Sequence, residues 1–288
     1  MLNDRITPNS SGTSRPAVQV PTNACDSHVH IIDARFPTVP GVQVMPNATI
    51  EAYRLLQSRI GTTRAVIVQA KVHGTDHGCL LDAISKLGGK GRGIGVAHPT
   101  IADSELRRMD KGGIRGLRFS VWNPADTVTA IDMIEPLARR ISDFGWHVQI
   151  HMSGDQIVEH AAMLGRLPCP IVIDHMAKLP PAQGVEHPAF ETVRRLMDKG
   201  NTWVKVSGVY LNTEIGAPTY SDAVAVANSW IMASPERVVW GSDWPHTTEI
   251  HQKPDDALLM DVLAQAAPDK IALSKILVTN PAKLYGFD

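Results

Sequence analysis

Eight short, β-branched apolar runs recur along this 288-residue chain, each followed by a longer amphipathic stretch. That alternation limits the fold more than any single motif does. The runs cover residues 24–30, 65–70, 93–98, 114–119, 147–152, 171–175, 203–207 and 238–242. Helical periodicity fills 50–60, 78–87, 104–111, 131–144, 156–164, 188–198 and 222–232, with two or three more helices after the last run. Alternating strand and helix signals predict parallel pairing with right-handed crossovers. Eight such units predict a single (β/α)8 TIM barrel over residues 21–288. An open doubly wound sheet is the alternative, but no Gly-x-Gly-x-x-Gly follows the first run to support a dinucleotide site. Residues 1–20, rich in Ser, Thr, Pro and Asn, read as a short irregular N-terminal arm, either disordered or strapped across the barrel or a subunit partner.

Composition narrows the function by exclusion. Lys plus Arg number 28 against 29 Asp plus Glu, for a net charge of -1. No basic stripe is interleaved with aromatics, so nucleic acid is not an expected partner. The apolar runs are strand-sized, far short of the roughly 20 residues of a membrane helix. Cys25, Cys79 and Cys169 are scattered and odd in number, which argues for a reducing cytoplasm and against a disulfide framework or thiolate zinc site. An exposed helical face or the N-terminal arm could serve a homo-oligomer; the sequence does not fix the oligomeric state.

The polar residues at the ends of the runs carry the chemistry. In Asp26-Ser27-His28-Val29-His30, period-two alternation puts both imidazoles on one face of a strand. His151, His175 and Asp243 close later runs in the same way. Each alone could be a satisfied core residue. Together, at the C-terminal ends of barrel strands, they form a set able to bind Zn²⁺ or a similar ion and leave a position open. In that reading Asp243 accepts a proton from an attacking water, and His175 orients a carbonyl or shuttles the proton to a leaving oxygen. Arg118, at another tip, offers a bidentate fork for a carboxylate, or else a rim salt bridge. Lys205 and Ser207 share a face, as a buried barrel cation and a rim donor.

These motifs resemble the amidohydrolase superfamily, and within it the branch containing 2-pyrone-4,6-dicarboxylate lactonase, 4-sulfomuconolactone hydrolase and galactarolactone isomerase. The resemblance runs from about Ala24 to the C-terminus. It rests on the strand-one motif, Val66-Ile67-Val68-Gln69-Ala70 followed by His73-Gly74-Thr75-Asp76, and Gly116-Leu117-Arg118-Phe119. Asp174-His175-Met176, Gly241-Ser242-Asp243-Trp244-Pro245-His246 and Asn280-Pro281-Ala282 complete it. The resemblance implies that His28, His30 and His175 polarise a lactone carbonyl while Asp243 activates water. It implies that His73 and Arg118 hold a substrate carboxylate, with Thr75 and His77 on the same loop. Lys178, Tyr210 and His246 complete the expected substrate contacts, His246 with a second-layer role as the alternative.

The chain departs from the lactonase pattern at His151, where a tyrosine is expected, and at Lys178, where the positive charge stays but the arginine fork is lost. Its strand-seven segment, Lys205 to Tyr210, looks more like the isomerase. The lactonase works without a divalent metal; restoring a strand-five histidine rebuilds a mononuclear site of His28, His30, His151 and Asp243. The expectation is one Zn or Mn ion, with a metal-independent mechanism left open. The function expected is hydrolysis of a small anionic lactone. An isomerase or metal-dependent decarboxylase on the same barrel, and a non-catalytic binding protein, are the alternatives.

Overall fold

The computed structural model describes residues 6–40, 42, 46–123 and 127–288. Eight strands, all parallel, lie side by side in chain order. They are β1 (Cys25–Val29), β2 (Arg64–Val68), β3 (Gly91–Gly95), β4 (Ile114–Ser120), β5 (His147–His151), β6 (Ile171–Ile173), β7 (Thr202–Val206) and β8 (Val238–Trp240). Helices wrap the outside, among them α1 (Ile50–Ile60), α2 (Gly78–Leu87), α3 (Asp103–Lys111) and α4 (Ile134–Ser142). The (β/α)8 expectation holds. Two expected helices differ in detail. The 131–144 stretch opens as a 3-10 turn, Ile131–Met133, before α4. The 156–164 stretch starts earlier, at a Ser153–Gln156 capping box, and breaks at His160 into α5 (Gly154–Glu159) and α6 (Ala161–Leu164). The later helices are α7 (Pro188–Asp198), α8 (Ser221–Ala233), α9 (Asp256–Ala266), α10 (Lys270–Ser274) and α11 (Asn280–Tyr285).

The seam between β1 and β8 positions the site. Gly241 follows β8, and a Cβ there would sit 2.4 Å from the His28 Cβ and 2.6 Å from the His28 nitrogen, so only glycine lets the strands meet. Beyond it, the Asp243 N–H donates to the His28 carbonyl at 2.8 Å and the His30 N–H to the Trp244 carbonyl at 2.8 Å. The Asp26 carboxylate locks the same seam, accepting from the Ser242 N–H at 2.9 Å and the Ser242 hydroxyl at 2.6 Å. Tyr53 of α1 also donates to Asp26, at 3.2 Å. Burial pushes the Asp26 carboxyl up to about 7, against the lowering pull of the Ser242 donors. The β1–β2 register slips between Asp26 and Val29. Within this stretch Asp26 meets Tyr53 of α1, while His28 and His30 face the other histidines.

Most apolar side chains form one buried layer around the strands. A smaller cluster of Cys25, Val66, Val68 and Ile94 is packed by Tyr285 and Phe287 from the C-terminal end. The described part of the N-terminal arm is pinned to the helices. Arg59 of α1 donates to the Ser11 and Ser14 carbonyls at 2.9 Å, and Asp261 of α9 accepts from the Ala17 and Val18 N–H groups. Trp244 Nε1 donates to the Pro8 carbonyl at 2.9 Å, which ties the arm to the loop after β8. Among the described residues, no helix is long and apolar enough to cross a membrane.

Candidate active site

Three ligand-type atoms converge just past the β1 and β8 ends. His28 Nε2 and His30 Nε2 lie 3.3 Å apart, and each is 3.6 Å from Asp243 Oδ1. Both outer ring nitrogens face acceptors: His30 Nδ1 the Val68 carbonyl at 2.9 Å, and His28 Nδ1 the Asp174 carboxylate at 3.5 Å. With the Nδ1 protons turned outward, two nitrogen lone pairs and a carboxylate oxygen point at one another. Such a set needs a cation or an added proton between its members. The separations match the roughly 3.3 Å edge of a tetrahedron built on bonds of about 2.0–2.1 Å, so the donor set fits a divalent metal. The trio is buried, and His28, Asp174 and His175 form a second cluster of the same kind. Burial, reinforced by Lys205, holds the His28 imidazole well below its usual range and therefore neutral. Burial alone would raise the Asp243 carboxyl, but positive charge in the set it shares with His175, His30 and His28, the added proton such a set calls for, draws it well below the ordinary value. The Asp243 backbone sits in the left-handed region, at φ 66°, a strained conformation of the kind that collects at functional sites.

The four imidazoles form a row, with ring centroids 5.0 Å apart from His30 to His28, 4.9 Å from His28 to His175 and 4.8 Å from His175 to His151. His151 stands at the far end of that row and is not part of either ligand cluster. Its Nδ1 lies 2.9 Å from the Ser120 hydroxyl and 3.3 Å from the Arg118 guanidinium. The structure thus gathers three of the four expected metal ligands and sets the fourth apart. His175 opens a left-handed turn that runs to Lys178, with its Nδ1 3.0 Å from the Ser207 hydroxyl. Burial keeps both His175 and His151 neutral.

Sequence reasoning gave Asp174 no role, yet it is the hub beneath these rings. It is fully buried and accepts from Arg118 Nε at 3.0 Å and Gln149 Nε2 at 3.1 Å, with Lys205 Nζ at 3.5 Å. Lys205 is also fully buried and donates to Gln149 Oε1 at 2.8 Å. Burial brings its ammonium down to about 8, with Asp174 pulling the other way. The available signal was Lys205 itself: a lysine inside an apolar strand requires a buried anion.

Above the rings opens a cavity of about 490 Å³, walled from the strand ends between His30 and Asp243 and, after β7, by Leu211 of the following 3-10 turn. Arg118 and Lys71 supply cations to its wall. Lys71 was passed over in the sequence, where it sits between two recognisable segments. Lys178 stands beside the cavity, its Nζ 4.5 Å from the centroid of the wall residue Trp122, and burial lowers its ammonium.

Several expected substrate contacts lie elsewhere. Thr75 is exposed and outside the described wall, and His73 is buried with Nδ1 2.8 Å from the Pro37 carbonyl, also outside it. His77 is buried, held by the Val96 carbonyl and Glu105. Tyr210 and His246 sit behind Asp243. The Tyr210 hydroxyl donates to Asp243 Oδ2 at 2.7 Å, and both ring nitrogens of the fully buried His246 are occupied, by Tyr210 and Asp256. Neither lines the described cavity.

Comparison with known proteins agrees with this geometry. The chain is 34% identical over 285 residues to a 2-pyrone-4,6-dicarboxylate hydrolase of Comamonas testosteroni, covering 94% of this chain and 93% of that protein. It is 32% identical over 274 residues to a 4-sulfomuconolactone hydrolase of Rhizobium radiobacter, covering 93% and 91%. An apo crystal structure from Agrobacterium tumefaciens superposes with a TM-score of 0.88 at 26% identity, covering 97% of this chain and 99% of that one. The family model described as amidohydrolase matches residues 25–287, and with the barrel and its strand-end histidines this places the chain in the amidohydrolase family.

Proposed function

We propose that this chain opens the ring ester of a small anionic lactone by attack of water on the carbonyl. The observation that carries the reading is a carboxylate, Asp243, gathered with the Nε2 atoms of His28 and His30 at 3.3–3.6 Å beneath a cavity whose wall holds Arg118 and Lys71. The names of the two hydrolase relatives support the same chemistry. Asp243 takes the proton of the attacking water, a role that suits a carboxylate kept ionised inside a cavity. His175, neutral and lining the cavity, relays to the leaving ring oxygen the proton that Asp243 took from the water. Arg118 is braced by Asp174 through Nε and by His151 and His175 through Nη2, so it meets a carboxylate or sulfonate through Nη1 and the second proton of Nη2, with Lys71 and Lys178 adding positive charge. We assign one divalent ion, zinc or manganese, to His28, His30 and Asp243; when bound it would polarise the ester carbonyl and make water more acidic. The buried free thiols of Cys25, Cys79 and Cys169 favour a cytoplasmic setting.

The test is a pH-indicator assay on purified, metal-analysed protein with 2-pyrone-4,6-dicarboxylate, 4-sulfomuconolactone and a panel of carboxylated five- and six-membered lactones. Acid release in proportion to enzyme supports the assignment. Acid release that survives metal removal keeps the hydrolase but moves carbonyl polarisation to the imidazoles. No acid release from any anionic lactone by folded, metal-replete protein overturns it.

A further inference from the structure

Behind Asp243, on the side away from His28 and His30, runs a line of polar groups that the reaction as written does not use. Asp243 Oδ2 accepts from the Tyr210 hydroxyl at 2.7 Å. The same hydroxyl lies 3.1 Å from His246 Nδ1, and His246 Nε2 lies 3.1 Å from Asp256 Oδ2. His246 and Asp256 are fully buried, and the tyrosine and imidazole rings meet edge to face at 5.2 Å and 81°.

Proton counting gives the line a direction. A tyrosine hydroxyl has one proton, and at 2.7 Å from a carboxylate it is spent on Asp243. Its oxygen must then accept, so the His246 Nδ1–H is the donor. One more proton lies between His246 Nε2 and the Asp256 carboxylate: on Asp256 it is donated to His246, on His246 it is donated to Asp256, and in both cases the His246 Nδ1–H is donated to Tyr210 and the Tyr210 hydroxyl to Asp243. Both ends are anchored. Asp256 is the first residue of α9, and its N–H donates to the Ser10 hydroxyl of the N-terminal arm at 3.3 Å. The His246 backbone is gripped by Lys253 Nζ, which donates to the His246 carbonyl at 2.8 Å and to that of Pro245 at 2.9 Å.

We propose that Tyr210, His246 and Asp256 are positioning residues that hold the Asp243 carboxylate in one rotation, with Oδ2 tied back and Oδ1 turned to the reacting centre. The torsion that orients a carboxylate is soft and its two oxygens are equivalent, so an outside contact to one oxygen sets the plane in which the other is presented. Here the contact is to Oδ2, while Oδ1 is the oxygen 3.6 Å from both His28 and His30. This inference rests on the proposed role of Asp243 as the base.

The test uses Tyr210→Phe, Asp256→Leu, their double variant and Asp256→Asn. The asparagine amide donates to His246 Nε2 and preserves the direction of the line; leucine cuts it. With 2-pyrone-4,6-dicarboxylate as substrate, Tyr210→Phe and Asp256→Leu are each expected to lower kcat about 10–100-fold, the usual effect of removing an outer hydrogen-bond partner, with KM changed less than about twofold. Asp256→Asn recovers most of the activity. The double variant is no slower than Tyr210→Phe alone, because the line is already cut. Independent, multiplying losses overturn the inference. So does an Asp256→Asn enzyme as slow as Asp256→Leu, or a rise in KM at constant kcat, which would return Tyr210 to substrate binding. A crystal structure of Tyr210→Phe decides the point without any substrate: a rotated or disordered Asp243 carboxylate is expected, and an unmoved one overturns the inference. Failure of the wild-type protein to hydrolyse the lactone would count against the hydrolase reading, with the crystal structure still deciding the positioning role.

Discussion

Replacing Asp174 with Asn removes one negative charge from the point where Arg118, Lys205, Gln149 and His28 meet. Lys205 is fully buried and holds its proton up to about pH 8 with Asp174 beside it, against 10.5 for an ordinary lysine. Without Asp174 the ammonium falls further, and the lysine can escape its penalty by deprotonating. That escape caps the Lys205 share of the damage at about 1.4 kcal/mol for each pH unit below 8. The share is therefore at most about 3 kcal/mol near pH 6, about 1 kcal/mol near pH 7, and nothing above about pH 8. A smaller, pH-independent loss follows from Arg118, whose side chain is 12% exposed and keeps an amide oxygen at Nε but loses the negative charge beside it. The sign follows from proton counts. Below pH 8 the wild-type lysine is protonated in both folded and unfolded states, whereas the folded variant has lost its proton and the unfolded variant has not. The variant's stability therefore rises with pH while the wild type's share stays flat, and the gap closes. Urea unfolding of both proteins at several values between about pH 6 and pH 8.5 measures it. A gap that is flat, or that widens with pH, would refute the hub as described.

Three further outcomes follow from the same geometry. Asp26 keeps its proton in the folded state up to about 7, while in the unfolded chain it ionises near 3.8, so its contribution to stability falls as pH rises through that window, by about 4 kcal/mol. Asp26→Asn should remove this slope in urea unfolding across pH 4–7; an unchanged slope would place the titrating group elsewhere. His30→Gln should abolish stoichiometric zinc or manganese binding by elemental analysis, whereas His151→Gln, outside the ligand trio, should retain it; metal loss in both would return His151 to the coordination shell. Arg118→Lys keeps the charge but loses the fork, and should raise KM for a carboxylated lactone about tenfold. A fall in kcat at constant KM would take Arg118 out of anion binding.

The barrel was legible because its signal is periodic and local: eight apolar runs with helices between them need no long-range information. The strand-end histidines and Asp243 were legible for a related reason, since a parallel barrel sends every strand's C-terminal end to one face. The ends themselves were less so. The expected first and sixth strands ran through His30 and His175, but β1 stops at Val29 and β6 at Ile173, and the functional residues occupy the irregular backbone just beyond. What the sequence hid is pairing across distance. Asp174 gains its role from Arg118 and Lys205, 56 and 31 positions away along the chain, and Asp256 from a histidine that belongs to a different element. In the loop after β2 the motif drew the eye to His73 and Thr75, while the described cavity wall takes Lys71 and Gly74 from it.

The central claim is that Asp243 is the base of a lactone hydrolysis, and acid release measured side by side for the wild type and Asp243→Asn tests it most directly. The account predicts steady acid release from an anionic lactone by the wild type and a loss of about 10²–10⁴-fold in kcat for the variant, with the lactone still bound. Turnover by Asp243→Asn at the wild-type rate would contradict it.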